Sequence, residues 1–331
     1  MDDGTRPRVA VIGAGHLGRG WASLALSRGW PVALYDSESS LLQKAGSEVA
    51  DRVRRLTDLG RADPLEAAGA RASLVIGRSL LHAVGDAELV LDVMPTELAI
   101  KQRLLEQIEQ VAVRDAIMVS LTASLHASSL AARLRRPERH LVACALDPVE
   151  IVPLVEIVPG PHTALAVTRQ VKEWFVALDR EPVLLRREVV GNASGRILAA
   201  IWRECIDLVL EGVVDLADVD RLVSRGPAAA LAVAGPNLLQ VMGAGAQGME
   251  YFLGETLQAQ EGVWSKLAHW ETLSIEDRHR LIRMIERTYH DEPAELRMQR
   301  DRFLARLLGA LEEQPREPEA ELDEFPSPEP S

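Results

Sequence analysis

Arg8-Val9-Ala10-Val11-Ile12-Gly13-Ala14-Gly15-His16-Leu17-Gly18-Arg19-Gly20 is the stretch whose reading decides the fold. A short apolar run, Val9 to Ile12, stops at three spaced glycines, and a helical pattern through Trp21, Leu24 and Ala25 follows at once. Strand, glycine turn and helix in that order are what a dinucleotide-binding fingerprint requires. Gly13 permits the tight turn, Gly15 leaves room for a pyrophosphate to approach the backbone, and Gly18 allows helix to pack closely on strand. The free amides and positive end of the helix then face the anion. Gly13, Ala14, Gly15, His16, Leu17 and Gly18 are therefore the expected phosphate cradle.

A second signal lies in register with the first. Pro31 to Tyr35 reads as another buried strand and ends at Asp36, about 20 residues beyond the glycines, where a carboxylate can accept both ribose hydroxyls of an adenosine. An acid there repels a 2′-phosphate. The expected cofactor is NAD, not NADP.

Working outward, residues 37–59 carry a helical apolar pattern (Leu41, Leu42, Ala45, Val49, Val53, Leu56), with Ser37 as its expected N-cap. Short apolar runs recur at Ser73–Ile76, Leu89–Val93, Ala116–Ser120 and Leu141–Ala145, with helical patterns such as Glu97–Val111 and Leu125–Leu134 among them. This alternation predicts an α/β fold, a Rossmann-type doubly wound parallel sheet, with chemistry on the loops after Gly13, Val93, Ser120 and Ala145. Val152–Val158 is expected to add an edge or crossing strand. From Thr163 onward helices dominate: Ala164–Leu178, Gly191–Gly212, Leu216–Ser224, Ala228–Met242, Ile275–Arg287 and Pro293–Leu311. The expected domains are residues 1–188 for the nucleotide, an all-helical 189–311 for substrate and dimerisation, and a disordered tail, 312–331. The helical part carries more apolar surface than one small bundle needs, so a homodimer is expected.

Composition narrows the function. The net charge of −12 is concentrated in the tail, where 312–331 carry −7, leaving a mildly acidic folded part of −5. Basic patches with interleaved aromatics are absent, which argues against a nucleic-acid partner. Cys144 and Cys205 are the two cysteines, too few for a disulfide framework, and no histidines stand at metal-ligand spacing, so no metal is expected. Ile197–Val214, the most apolar helix candidate on this reading, carries four charges, and no run of about 20 uncharged apolar residues is expected to span a membrane. The amino terminus lacks the apolar core of a secretory signal, and the expected location is the cytoplasm.

The chain resembles the 3-hydroxyacyl-CoA dehydrogenase superfamily, and within it the branch of lambda-crystallin and L-gulonate 3-dehydrogenase, from about Pro7 to Leu311. The resemblance rests on Val11-Ile12-Gly13-Ala14-Gly15-His16-Leu17-Gly18, Leu98-Ala99-Ile100-Lys101, Ile151 to Val158, Leu208 to Val214 with Asp218-Val219-Asp220, Ala234-Gly235-Pro236, and Gly248-Met249-Glu250-Tyr251-Phe252. It implies NAD-dependent oxidation of a 3-hydroxyl by a histidine base that a glutamate orients, with a serine and an asparagine on the substrate oxygens. Of that set the glutamate is kept, as Glu156. Cys144 stands at the histidine position, Asp147 at the asparagine of the same motif, Ala123 at the serine and Gly195 at the second asparagine. Thr96 replaces a glutamate near the nicotinamide, while Lys101 is kept and is expected among the cofactor contacts.

Two readings follow. One is an oxidoreductase with a rebuilt site, in which Glu156, Cys144 and Asp147 handle a 3-hydroxy acid, β-keto or other carbonyl substrate. The other is a nucleotide-binding protein that has lost redox catalysis and serves a partner or a non-redox reaction. The intact fingerprint and Asp36 favour the first; the missing base and oxygen-binding groups favour the second.

Overall fold

A computed structural model describes residues 6–70 and 72–312; the expected tail beyond Glu312 lies outside the described residues. Eight strands form one sheet: β1 (Val9–Ile12), β2 (Val32–Tyr35), β3 (Leu74–Ile76), β4 (Leu89–Asp92), β5 (Ile117–Leu121), β6 (His140–Ala145), β7 (Leu154–Pro159) and β8 (Glu181–Leu184). Their order is β3-β2-β1-β4-β5-β6-β7-β8, parallel throughout except where β7 runs against β6. The reversal of strand order on either side of β1 creates the crevice in which open α/β sheets bind ligands.

Helices cover both faces, which is why the central strands read as unbroken apolar runs. The helices of this part are α1 (His16–Ser27), α2 (Ser39–Asp58), α3 (Pro64–Ala68), α4 (Leu80–Val84), α5 (Leu98–Val111), α6 (Ala127–Ala131) and α7 (Leu165–Ala177). Val9, Val11 and Leu34 point to a core with Trp21 of α1, Val49 and Val53 of α2, and Phe175 of α7. Trp21 and Phe175 meet with ring centroids 5.6 Å apart. Ala10 and Ile12, one residue out of phase, point to the opposite core, which α4, α5 and α6 complete.

Several local expectations are corrected. Ser37 does not cap α2; Glu38 holds the N-cap position without a side-chain bond, and Asp36 Oδ1 takes the Glu38 amide at 2.9 Å. The α6 helix is shorter than the Leu125–Leu134 pattern. The strand expected at Val152–Val158 is not an edge: β8, unforeseen because its short apolar run opens on Glu181 and Pro182, lies outside it. Proline belongs on such an edge, where its missing N–H costs nothing.

The chain divides into two compact units after Gly195. The second, Arg196–Gln299, is helical. It contains most of α8 (Asn192–Leu210), then α9 (Leu216–Arg225), α10 (Pro227–Ala244), α11 (Gly248–Tyr251), α12 (Leu257–Trp264), α13 (Ile275–Thr288) and the start of α14 (Pro293–Glu312). Within this unit Trp270 Nε1 donates to Asp207 at 2.8 Å, and the Tyr289 hydroxyl donates to Asp220. Arg300–Leu308 of α14 belongs to the first unit, where Leu304, Ala305 and Leu308 pack with Leu56, Leu59 and Ile151.

The expectation that no segment is long and apolar enough to cross a membrane is also corrected. By length and composition alone Pro227–Gly254 qualifies, and very little of it is buried. Gly235 and Pro236 hide this stretch in the sequence, since together they read as a break. In the fold they make a kink, with Gly235 at φ +67, and helix continues on either side.

Candidate active site

The glycine turn has the geometry its spacing requires. Gly13 sits at φ +115, and a β-carbon there would lie 3.0 Å from the Val93 carbonyl. At Gly18 a β-carbon would lie 1.8 Å from the Gly13 oxygen, so only glycine lets α1 close on β1. A β-carbon on Gly15 would meet nothing within 4 Å: the space above the turn is open, and it is the space a pyrophosphate needs. No side chain caps α1, leaving its first amides to an anion.

Asp36, at the end of β2, is buried and its Oδ2 accepts the Ala14 amide at 2.7 Å. The acid expected at a ribose therefore braces the turn. These residues fit NAD: Gly13, Ala14 and Gly15 with the start of α1 at the pyrophosphate, and Asp36 at the adenosine ribose.

His16 is half exposed and bridged on both ring nitrogens. Arg52 can only donate, so Nδ1 accepts from it at 2.7 Å, and Nε2 carries the proton that reaches Asp147 at 2.9 Å. Asp147 also receives Arg300 of α14 at 3.1 Å. Its carboxylate is thus committed at the glycine turn, and no hydrogen bond among the described residues joins it to Cys144 or Glu156. Glu150 is buried and paired with Arg52 at 2.6 Å. Arg180 holds this loop from beneath through the carbonyls of Val149 and Val152. Burial lowers the Arg180 pKa to about 10.

Lys101, expected at the cofactor, is fully buried. Its Nζ lies 2.9 Å from Asp92 Oδ2, inside the protein. The spacing of α5 shows why: Lys101, Leu105 and Ile108 share its inward face.

The remaining positions converge at the carboxyl ends of β5 and β6. Cys144 is directly opposite Glu156 in the antiparallel β6–β7 ladder. Glu156 is buried, and its Oε1 accepts the amides of Ala193 (2.9 Å) and Ser194 (2.8 Å) while Oε2 accepts the Ser194 hydroxyl (2.7 Å). Expected to orient a proton carrier, Glu156 instead caps the start of α8, where a carboxylate satisfies orphan amides and the helix dipole together.

Asn192, in the left-handed region at φ +50, sends its amide to the Thr122 carbonyl at 3.4 Å, and its side chain acts to lower the pKa of the Cys144 thiol. The Gly191 amide meets the Ala123 carbonyl at 2.9 Å. Ala123, Cys144, Glu156 and the first turn of α8 therefore form one cluster, with Asn192 at its centre. Burial is the main cause raising the thiol pKa above 9.0; the Asn192 hydrogen bond opposes this and the Glu156 charge adds to it. At neutral pH Cys144 is a proton donor, not a base. Gly195 has open space around it, and a β-carbon there would meet nothing within 4 Å.

Sequence reasoning missed Ser194, although Asn192-Ala193-Ser194 ahead of an apolar run carries the polar signature of a helix start. It also missed Asp92, whose signal was a lone acid closing a buried strand.

Comparison with known proteins agrees with this architecture. The family model of the 3-hydroxyacyl-CoA dehydrogenase NAD-binding domain matches residues 8–189, and that of the C-terminal domain matches 191–280. L-carnitine dehydrogenase of Bacillus cereus is 31% identical over 306 residues, 92% of each chain. That of Pseudomonas aeruginosa is 30% identical over 309 residues, covering 92% of this chain and 94% of the relative. Among solved structures, FHMPC 5-dehydrogenase, an NAD+ dependent dismutase, superposes with a TM-score of 0.81 at 27% identity, over 93% of this chain and 99% of the other. With the glycine turn, the Asp36 brace and both domain models in agreement, the chain belongs to the 3-hydroxyacyl-CoA dehydrogenase family of NAD-dependent oxidoreductases.

Proposed function

We propose that the protein interconverts a small 3-hydroxy acid, or a related alcohol, and its carbonyl form at a rebuilt site in which Cys144 faces the reacting oxygen. The convergence of Cys144, Asn192 and the Thr122–Ala123 loop beside the cofactor crevice carries this reading. The nicotinamide cofactor, when bound, supplies the hydride as NADH in carbonyl reduction and accepts it as NAD in alcohol oxidation. Asn192 steadies the thiol, Glu156 keeps the first turn of α8 in place, and the thiol donates its proton to the oxygen. Because the thiol stays protonated near pH 7, carbonyl reduction is the direction these residues serve best, and alcohol oxidation gains as pH rises. The relatives named L-carnitine dehydrogenase make carnitine-like 3-hydroxy acids the first substrates to try.

The test is NADH consumption with acetoacetate, 3-dehydrocarnitine and acetoacetyl-CoA, alongside NAD reduction with 3-hydroxybutyrate and L-carnitine, in the wild type and Cys144→Ser. Turnover that falls in the variant supports the reading. NADH binding without turnover of any of these would replace it with a nucleotide-binding role.

We further propose that the exposed apolar residues of Pro227–Gly254, among them Val233, Leu238, Val241 and Met242, pack against a second copy of the chain. A membrane span needs about 20 unbroken apolar residues, and the kink at Gly235 together with the charge of Glu250 interrupts this stretch. Light scattering should give a dimer that Val241→Glu dissociates; a monomeric wild type that binds lipid vesicles overturns this.

A further inference from the structure

The amino ends of the strands, away from the cofactor crevice, hold a cavity of about 500 Å³, within the size range of small-molecule sites. Arg6 and Pro7 reach it just before β1, Trp30 just before β2 and Glu88 just before β4. On α7, Gln170, Glu173, Trp174 and Ala177 stand at i, i+3, i+4 and i+7, so one face of that helix turns to the cavity. The four residues of β1 span about 13 Å between this end of the sheet and the glycine turn, so a ligand here lies apart from the cofactor.

Pairing within the wall decides what charge the cavity offers. The Arg6 guanidinium is tied to Glu66 at 2.6 Å and lies over Gly29, where a β-carbon would collide with it. Arg28 is tied to Asp179 and to the Arg61 carbonyl, both at 2.9 Å. Both guanidiniums of the wall therefore have partners of their own. Glu88 accepts the Arg8 backbone amide at 3.2 Å and Glu173 the Gln170 side-chain amide at 3.4 Å, and among the described residues neither carboxylate has an ion-pair partner. Their charges stand beside two indole rings. Trp30 is only 3% exposed, yet among the described residues its indole N–H has no acceptor, which a buried indole ordinarily finds.

We propose that this cavity is a binding site for a small organic ammonium cation that also carries a hydroxyl or carbonyl oxygen. Carboxylates attract an ammonium by charge, and aromatic rings attract it through their quadrupole. The ligand's oxygen accepts the Trp30 N–H. Arg6 and Arg28, held by Glu66 and Asp179, do not compete for Glu88 or Glu173, so those charges are kept for the ligand.

The test is calorimetric titration of the full-length protein with choline, which has both groups, and with 3,3-dimethylbutanol, its uncharged carbon isostere. Choline should bind saturably, and the isostere at least about tenfold more weakly. Glu173→Gln, a change at an exposed side chain, and Trp174→Leu should each weaken choline about tenfold and leave NADH affinity unchanged. Trp30→Phe keeps a ring and removes the N–H, so it should weaken choline but not tetramethylammonium, which has no oxygen. Absence of saturable choline binding, equal binding of the isostere, or full choline affinity in both Glu173→Gln and Trp174→Leu would overturn the proposal; the last would place choline elsewhere on the protein. Equal losses of choline and tetramethylammonium in Trp30→Phe would overturn the part assigned to the N–H.

Discussion

The carboxylate of Glu156 accepts the backbone amide of Ser194 on one oxygen and the hydroxyl of the same residue on the other, at 2.8 and 2.7 Å. Cutting this relationship should be felt as stability. Glu156→Ala strands two amides and a hydroxyl at a buried helix start, and urea denaturation should show a loss of about 3 kcal/mol; Ser194→Ala, which removes one bond, should lose about 1 kcal/mol.

Cys144 should be unreactive toward alkylating reagents near pH 7 because its thiol stays protonated. Burial and the Glu156 carboxylate hold its thiol protonated, so iodoacetamide labelling read by peptide mass spectrometry should be negligible near pH 7 and should rise only in alkaline solution. Asn192→Ala removes the hydrogen bond that opposes this shift and should move the labelling curve to still higher pH.

His140 makes the fold sensitive to acid. Burial, aided by the Lys101 charge, lowers its pKa from 6.5 to about 3, so the unfolded chain binds a proton that the folded chain refuses between those values. Stability from this group is full above pH 6.5 and is lost as pH falls toward 3, with a slope of about 1.4 kcal/mol per pH unit. His140→Gln keeps a donor for Ser120 and should flatten that part of the pH–stability curve measured by denaturant titration.

Restoring the residue types implied by the family resemblance tests what the pocket has kept. Gly195 has free space for a side chain, and Cys144 already lies opposite Glu156. Ala123→Ser, Cys144→His and Gly195→Asn together should raise NAD-dependent oxidation of 3-hydroxybutyryl-CoA or 3-hydroxybutyrate by about 10²–10⁴-fold, the usual worth of a general base. Unchanged rates would mean that the cleft no longer accepts such substrates.

Cofactor choice follows from Asp36. NADH should bind at least about tenfold more tightly than NADPH, by repulsion between the carboxylate and a 2′-phosphate. Because Asp36 also holds the Ala14 amide, Asp36→Ala should weaken NADH without creating tight NADPH binding, in fluorescence titrations of both.

Local chemistry made much of this protein legible from its sequence. The turn from Gly13 to Gly18, the acid at Asp36, and the apolar runs of β1, β2, β4, β5 and β6 depend on steric demands of neighbouring residues and on burial from both sides, and these leave a pattern in the chain itself. So does the helical run from α8 onward. The partners of long-range polar groups leave no such pattern. Nothing in the order of residues says that Lys101 turns inward to Asp92, that Asp147 reaches His16 and Arg300, or that Glu156 commits its oxygens to Ala193 and Ser194. A charge brought into the interior takes whichever partner the folded backbone places within about 3 Å, and only the tertiary structure decides which one that is.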